Sequence, residues 1–119
     1  MPFTVGNLYY IWCSFIEPPH EKISICVCSQ TPYFVWVSTK AKMHGIAQIA
    51  WTSGITHGIV SDCHVDLSSL KMASPKDLAR ARDFGPLSQP ALGSIIAEFS
   101  TPIEMLSEAH REMVLANLT

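Results

Sequence analysis

The stretch EKISICVCSQTPYFVWVSTK, residues 21–40, holds two apolar runs on either side of a short polar segment, SQTP. Both runs are rich in β-branched and aromatic residues, which favour strands. The polar segment suits a turn, since serine and proline are common turn formers. The stretch therefore predicts a β-hairpin with strands at residues 22–28 and 33–38, joined by a loop of about four residues.

Further strands are predicted on both sides of this hairpin. Nine of the eleven aromatic residues lie within the first 51 positions, among β-branched residues and turn formers. The segments LYYIWCSF (8–15), GIAQIAW (45–51) and CHVDL (63–67) complete a set of five short strands at roughly ten-residue spacing. Short strands at this regular spacing are typical of a small antiparallel barrel.

From Ser74 onward, apolar residues recur at the three- to four-residue spacing of a helix. Ser74 followed by Pro75 is a helix start signal, and the predicted helix stops at DFGP (83–86). A second helix is predicted from Ser88, with an apolar stripe at spacings of three and four residues. A third is predicted from Thr101, in the segment TPIE. Strands first and helices last predict one α+β domain over 1–119, with a barrel part (1–73) and a part of two to three C-terminal helices (74–119).

Composition narrows the classes of function. Apolar residues make up 48% of the 119 residues and charged residues 15%, which argues against a disordered chain. The net charge of −2 provides no long-range attraction for nucleic acid, so any such contact must be local. The N-terminus lacks the pattern of a signal peptide, and no run approaches the roughly 20 apolar residues that span a bilayer. We therefore expect a cytoplasmic protein without membrane contact, and the apolar fraction favours a homodimer.

The cysteines leave a metal site open as an alternative. Cys26 and Cys28 share one face of a predicted strand, and Cys63 and His64 lie on a later one, with His57 in the turn before it. A zinc site normally takes its cysteines from a bent turn rather than from a strand interior. Buried free thiols are therefore the favoured interpretation, and no cofactor is expected. A redox disulfide is disfavoured by the spacing along a strand.

Polar groups gather at the two ends of the hairpin. His20, Glu21 and Lys22 precede its first strand, and Ser38, Thr39 and Lys40 follow its second. Side by side, these segments would offer an acid, a base and a cation for a phosphate, although such loops also occur merely solvated. A surface for nucleotides by charge and stacking is a further hypothesis, with candidates Lys40, Lys42 and Trp36, and Trp51 as a second aromatic residue.

The order of these segments resembles a known family. VGNLYYIWCSF, then ISICVCS, a strand ending in VSTK, and SDCHVDLSSLKMAS before terminal helices are similar to the PemK/MazF-like toxins of type II toxin–antitoxin systems. The resemblance covers residues 5–73. It implies an SH3-like barrel that dimerises, pairs with an antitoxin and cuts single-stranded RNA without a metal. It also implies an arginine before the second strand and a threonine or serine after the third.

Carried onto this chain, the hydroxyl position matches Thr39, with Ser38 beside it. The arginine position has no match, since all three arginines (80, 82 and 111) fall in the predicted helical part, and Lys22 is the nearest cation. The resulting expectation is an endoribonuclease whose catalytic candidates are Lys22, Thr39, Ser38, His20 and Glu21. The alternative is a catalytically inactive barrel that acts as a protein-interaction module, such as a phage or mobile-element protein that binds a host complex.

Overall fold

The computed structural model describes residues 3–41 and 47–119, which form six strands and three helices. In chain order the elements are β1 Asn7–Cys13, β2 His20–Cys28, β3 Tyr33–Ser38, β4 Gln48–Trp51, β5 Cys63–Lys71, α1 Pro75–Leu78, β6 Arg82–Pro86, α2 Gln89–Phe99 and α3 Glu108–Leu118. The predicted α+β class and the hairpin of β2 and β3 are confirmed.

The predicted five-stranded barrel is wrong in two respects. The strands form one sheet of six in the order β4-β5-β3-β2-β1-β6, and every pair is antiparallel. The strands β4 and β6 lie at opposite edges, and no pairing joins them within the described residues. The sheet is therefore open.

The additional strand, β6, lies in the part of the chain predicted to be helical. Arg82 pairs with Tyr10 of β1, and Asp83 accepts hydrogen bonds from the Asn7 side chain (3.1 Å) and from Gly85 N (2.7 Å). Gly85 has a φ of 86°, which favours glycine, and Pro86 is tolerated because β6 is an edge strand. Since RDFGP shows no alternation of apolar and polar residues, its strand is set by pairing with β1.

The helix caps were predicted with mixed success. The Ser74 hydroxyl accepts from Asp77 N and the Ser88 hydroxyl from Ala91 N, so the predicted starts of α1 and α2 are confirmed. The third start was wrong, because α3 is capped by Ser107 rather than Thr101. Two apolar side chains between these positions, Ile103 and Leu106, are nevertheless buried, but from a loop rather than from a helix.

Each face of the sheet has its own apolar cluster. Side chains alternate between faces along a strand, so neighbours two apart share a face. We call the side covered by α2 and α3 the helix face; its core includes Leu8, Ile25, Val35, Val65, Ile95, Phe99 and Val114. The other side, the opposite face, carries Phe3, Tyr9, Ile11, Cys26 and Phe34, with α1 packed beside them. None of the described helices is long and apolar enough to cross a membrane.

Candidate functional site

A cavity of about 250 Å³ opens where β2 begins, β3 ends and β5 begins. The strand ends supply His20, Glu21, Lys22, Ile23, Val37, Ser38, Thr39 and Cys63, and the loop before β5 supplies Ile59, Val60 and Ser61. The hairpin register pairs Ile23 with Val37, which places the start of β2 next to the end of β3. Both polar segments predicted at the ends of the hairpin therefore line one cavity.

The loop that forms the outer wall of the cavity is tied to the sheet. Gly54 N donates to Ile59 O (2.8 Å), and the Tyr10 hydroxyl of β1 donates to Gly58 O (2.6 Å). Gly58 has a φ of 96°, and a Cβ there would lie 2.9 Å from the Leu8 side chain. Glycine at position 58 is therefore needed both for the backbone conformation and for the close approach to β1.

Glu21 forms an ion pair with an arginine that sequence reasoning assigned to a helix. Arg82 Nη2 lies 2.8 Å from Glu21 Oε1, and Arg82 Nε donates to Oε2 at 3.1 Å. The guanidinium also lies over the rings of Tyr10 and Phe84, at 5.1 and 5.5 Å. Since both groups remain partly exposed, at 56% for Arg82 and 36% for Glu21, the pair is accessible to an incoming anion. Glu21 is thus a carboxylate with a cation beside it.

Lys22 lies on the other face of the sheet from Glu21. Strand alternation separates the two side chains, and the Lys22 amine lies 5.0 Å from the centre of the Trp36 ring. Trp36 is two residues after Phe34 on β3, and Phe34 belongs to the opposite face, so Trp36 shares that face with Lys22. The cation and the carboxylate of the predicted site are therefore separated by the sheet, although both residues line the cavity.

Trp36 has two further neighbours that sequence reasoning missed. The Phe15 ring stacks on it, with centroids 6.0 Å apart and an interplanar angle of 24°, and the Lys71 amine lies 4.8 Å from its centre. The second aromatic residue suggested for a nucleotide surface, Trp51, is instead buried in the core, where its Nε1 donates to Ser94 Oγ.

The two lysines predicted alongside Trp36 have different outcomes. Lys40 is exposed, and its carbonyl accepts from the Ser38 hydroxyl at 2.8 Å. Lys42 lies outside the described residues. The amines that the structure places at Trp36 belong to Lys22 and Lys71 instead.

The remaining polar groups of the cavity have defined hydrogen-bond roles. His20 Nδ1 lies 2.8 Å from Pro18 O, and because a carbonyl only accepts, this nitrogen must carry the hydrogen. In neutral His20 the other ring nitrogen, Nε2, therefore holds the lone pair that can take a proton. Thr39 is exposed just beyond β3. The cavity lining thus offers an imidazole nitrogen, a hydroxyl and a carboxylate that is paired with Arg82.

The cysteines are buried as free thiols. Cys26 belongs to the cluster of the opposite face and Cys63 to the helix-face core, so these two do not converge on one ion. Burial raises the pKa of the Cys26 thiol to about 11, while a hydrogen bond with the Thr31 backbone lowers the pKa of Cys28. In residues 3–41 and 47–119, no three histidine, cysteine or acidic residues come together as a metal site.

Three residues in contact with the predicted site residues were not predicted: Arg82 at Glu21, and Phe15 and Lys71 at Trp36. Arg82 was missed because its strand lacks a strand pattern, and Phe15 because it was assigned to a strand that ends at Cys13. Lys71 was missed because β5 runs four residues beyond its predicted end. One signal was present for β5, since SSLK continues the chain without a glycine or proline to stop the strand.

Comparison with known proteins adds no relationship: no family model, curated protein or solved structure matches this chain.

Proposed function

We propose that this protein is an endoribonuclease of the PemK/MazF-like toxin type, which cleaves single-stranded RNA without a metal at the cavity between β2 and β3. The observation that carries the proposal is the shared lining by His20, Glu21, Lys22, Ser38 and Thr39. RNA cleavage of this kind needs a base, an acid and groups that stabilise charge on phosphate, and side chains of each kind are present there.

The proposed reaction is attack by a ribose 2′-oxygen on the adjacent phosphorus. His20 or Glu21 takes the proton of the 2′-hydroxyl, the new O2′–P bond forms, and the P–O5′ bond breaks. The leaving 5′-oxygen takes a proton from water or, where Glu21 is the base, from the imidazolium form of His20. The products are a 2′,3′-cyclic phosphate and a 5′-hydroxyl. Thr39, with Ser38 beside it, positions the reacting phosphate.

Arg82 supplies the guanidinium that the sequence lacks next to β2. It is held by Glu21 before substrate binds, and the phosphate takes over this contact because a planar guanidinium binds two phosphate oxygens as it binds a carboxylate. Glu21 is then released from Arg82 to move a proton. Lys22 adds positive charge from the other face of the sheet, near Trp36.

The test is to express the protein alone in cells and sequence RNA ends, beside Lys22→Ala and Thr39→Ala. New ends with wild type and their loss in both variants would support the proposal. Lys76→Ala, which changes an exposed lysine in α1, serves as the matched control and should cleave like wild type. Unchanged cleavage in both Lys22→Ala and Thr39→Ala would refute the assigned site.

A protein-interaction module without catalysis is the second candidate. The observation in its favour is a set of large apolar side chains left exposed; these are Phe15, Val60, Met72 and Met105. Val60, 82% exposed, lines the cavity itself, so a partner segment could cover the opening. Absence of new RNA ends, together with one host protein purified at equal stoichiometry, would favour this candidate.

The proposal also includes the location and the assemblies typical of such toxins. The protein acts in the cytoplasm, pairs with a second copy of itself, and is silenced by an antitoxin. Light scattering on the purified protein tests the homodimer, with a mass of twice 13.1 kDa expected. A neighbouring gene whose product suppresses the growth defect would support the antitoxin.

A further inference from the structure

The opposite face of the sheet carries a compact cluster of two aromatic rings and two amines. It consists of Phe15, Trp36, Lys22 and Lys71, which we call the aromatic platform. Phe15 stacks on Trp36, and both amines lie within 5.0 Å of the centre of the Trp36 ring. Two of the eight lysines and arginines of the chain thus converge on one side chain.

The platform is held in place from two directions. Trp36 lies in the middle of β3, between Ser24 of β2 and Asp66 of β5, so its backbone is fixed on both sides. Phe15 follows Ser14, whose backbone N–H and hydroxyl both donate to the Asp77 carboxylate, at 3.1 and 2.9 Å. A ring that is already ordered loses little conformational entropy when a ligand stacks on it.

The chemistry of the platform favours a ligand that is both planar and anionic. Phe15 is 56% exposed while Trp36 supports it, so part of its ring is open to a stacking group. Asp66, the register partner of Trp36 on β5, is already bound, since its Oδ1 accepts from Ser68 N and Oγ at 2.9 and 2.6 Å. A nucleotide offers a planar base beside a phosphate, whereas an acidic peptide supplies the charge without a base to stack.

We propose that the aromatic platform binds one nucleotide of single-stranded RNA, with its base on Phe15 and its phosphate at the amines of Lys71 and Lys22. The inference rests on the proposed function, because it gives the same RNA strand a second point of contact. Lys22 connects the two, as it lines the cavity and its amine lies on the platform. The platform therefore determines how tightly the strand is held next to the cavity.

The test is a binding titration with a fluorescent single-stranded oligonucleotide whose 2′-hydroxyls are methylated, so that cleavage cannot occur. Phe15→Ala should weaken binding about 10-fold, and Phe15→Leu similarly, whereas Phe15→Tyr should bind like wild type. Lys71→Ala should weaken binding less and reduce the slope of log K against log salt by about 0.7, since one phosphate contact is lost. Lys76→Ala is the control, and thermal unfolding verifies that each variant is folded.

Three results would overturn the platform. One is wild-type affinity in both Phe15→Ala and Lys71→Ala. Another is equal affinity for an oligonucleotide that lacks bases at several positions, because stacking would then contribute nothing. Displacement of the oligonucleotide by an acidic peptide at equal concentration would likewise point to charge alone and contradict the proposal.

The outcomes also separate the platform from the cleavage site. If Phe15→Ala and Lys71→Ala weaken binding of the methylated oligonucleotide but wild type does not cleave unmodified RNA, the platform is supported and the ribonuclease is rejected. If cleavage is lost in Thr39→Ala but Phe15→Ala and Lys71→Ala bind the methylated oligonucleotide like wild type, the ribonuclease is supported and the platform is rejected. Absence of any oligonucleotide binding by wild type would reject both.

Discussion

The two faces of the sheet differ sharply at the end where β2 begins and β3 ends. On the helix face, Glu21 is paired with Arg82 beside a cavity. On the opposite face, one residue along the same strand, the Lys22 amine lies over Trp36. Adjacent residues in a strand thus belong to separate environments, so closeness in sequence does not make one site.

If the cavity carries the chemistry and the platform carries binding, substitutions on the two should act on different kinetic constants. Thr39→Ala should lower kcat about 100- to 1,000-fold with KM nearly unchanged, because it removes a contact to the reacting phosphate. Phe15→Ala should instead raise KM, with kcat largely retained. Steady-state cleavage of a labelled RNA oligonucleotide measures both constants, and a loss of kcat in Phe15→Ala equal to that in Thr39→Ala would contradict the division.

The apolar clusters of the two faces can be compared by how much each contributes to the free energy of unfolding. Phe34→Ala removes a buried ring from the opposite face, and Ile95→Ala removes a buried side chain of α2 from the helix face. We expect losses of about 3–5 and 2–5 kcal/mol in the free energy of unfolding, respectively. Because the sheet separates the two sites, the double variant should lose about the sum. Urea unfolding tests this, and a loss below about 1 kcal/mol at Phe34 would show that its face is not a true core.

Asp77 connects stability to pH on the opposite face. Hydrogen bonds from Ser14, first of all from its backbone N–H, hold the pKa of this 1% exposed carboxyl below its ordinary value. A group with a lowered native pKa stabilises the fold above its unfolded pKa and loses that contribution as the pH falls through the native value. The wild-type Tm should therefore decline below about pH 4.

Asp77→Asn removes this titration and gives the matching measurement. Its Tm at neutral pH should be lower than that of wild type, but the decline attributable to this group below about pH 4 should be absent. Melting curves over a pH series compare the two slopes directly. Parallel acid slopes in wild type and Asp77→Asn would show that the Ser14 contacts do not stabilise the charged form.

The smallest expected effect on stability comes from the Glu21–Arg82 pair on the helix face. Since both groups are partly exposed, Glu21→Gln should change the free energy of unfolding by only about 0.2–1 kcal/mol. The same substitution frees the Arg82 guanidinium, so binding of the methylated oligonucleotide should become a few-fold tighter. Arg82→Ala should weaken it, and equal affinities for the two variants would mean that Arg82 does not contact phosphate.

Much of the fold near the cavity could be predicted from local patterns. The hairpin was predictable because its two strands are rich in strand-forming residues and flank a short turn, and its antiparallel pairing brings residues 20–22 next to 38–39. The starts of α1 and α2 were predictable because serine caps followed by proline act within one turn. These features depend only on residues close in sequence.

The rest depends on contacts between distant parts of the chain. The edge strand β6 consists of two charged residues, one phenylalanine, a glycine and a proline, and it becomes a strand because β1 offers an unpaired edge. Arg82 reaches Glu21 across 61 positions of sequence, and Lys71 reaches Trp36 because β5 pairs with β3. No local pattern encodes such pairings, so the contacts of Arg82 and Lys71 could not be predicted from the sequence.

Metal-independent cleavage at the cavity is tested by incubating purified protein with single-stranded RNA in the presence of EDTA and mapping the ends produced. We predict 2′,3′-cyclic phosphate and 5′-hydroxyl ends with wild type, and none above background with Thr39→Ala prepared in the same way. Intact RNA with wild type, or equal cleavage by Thr39→Ala, would contradict this prediction.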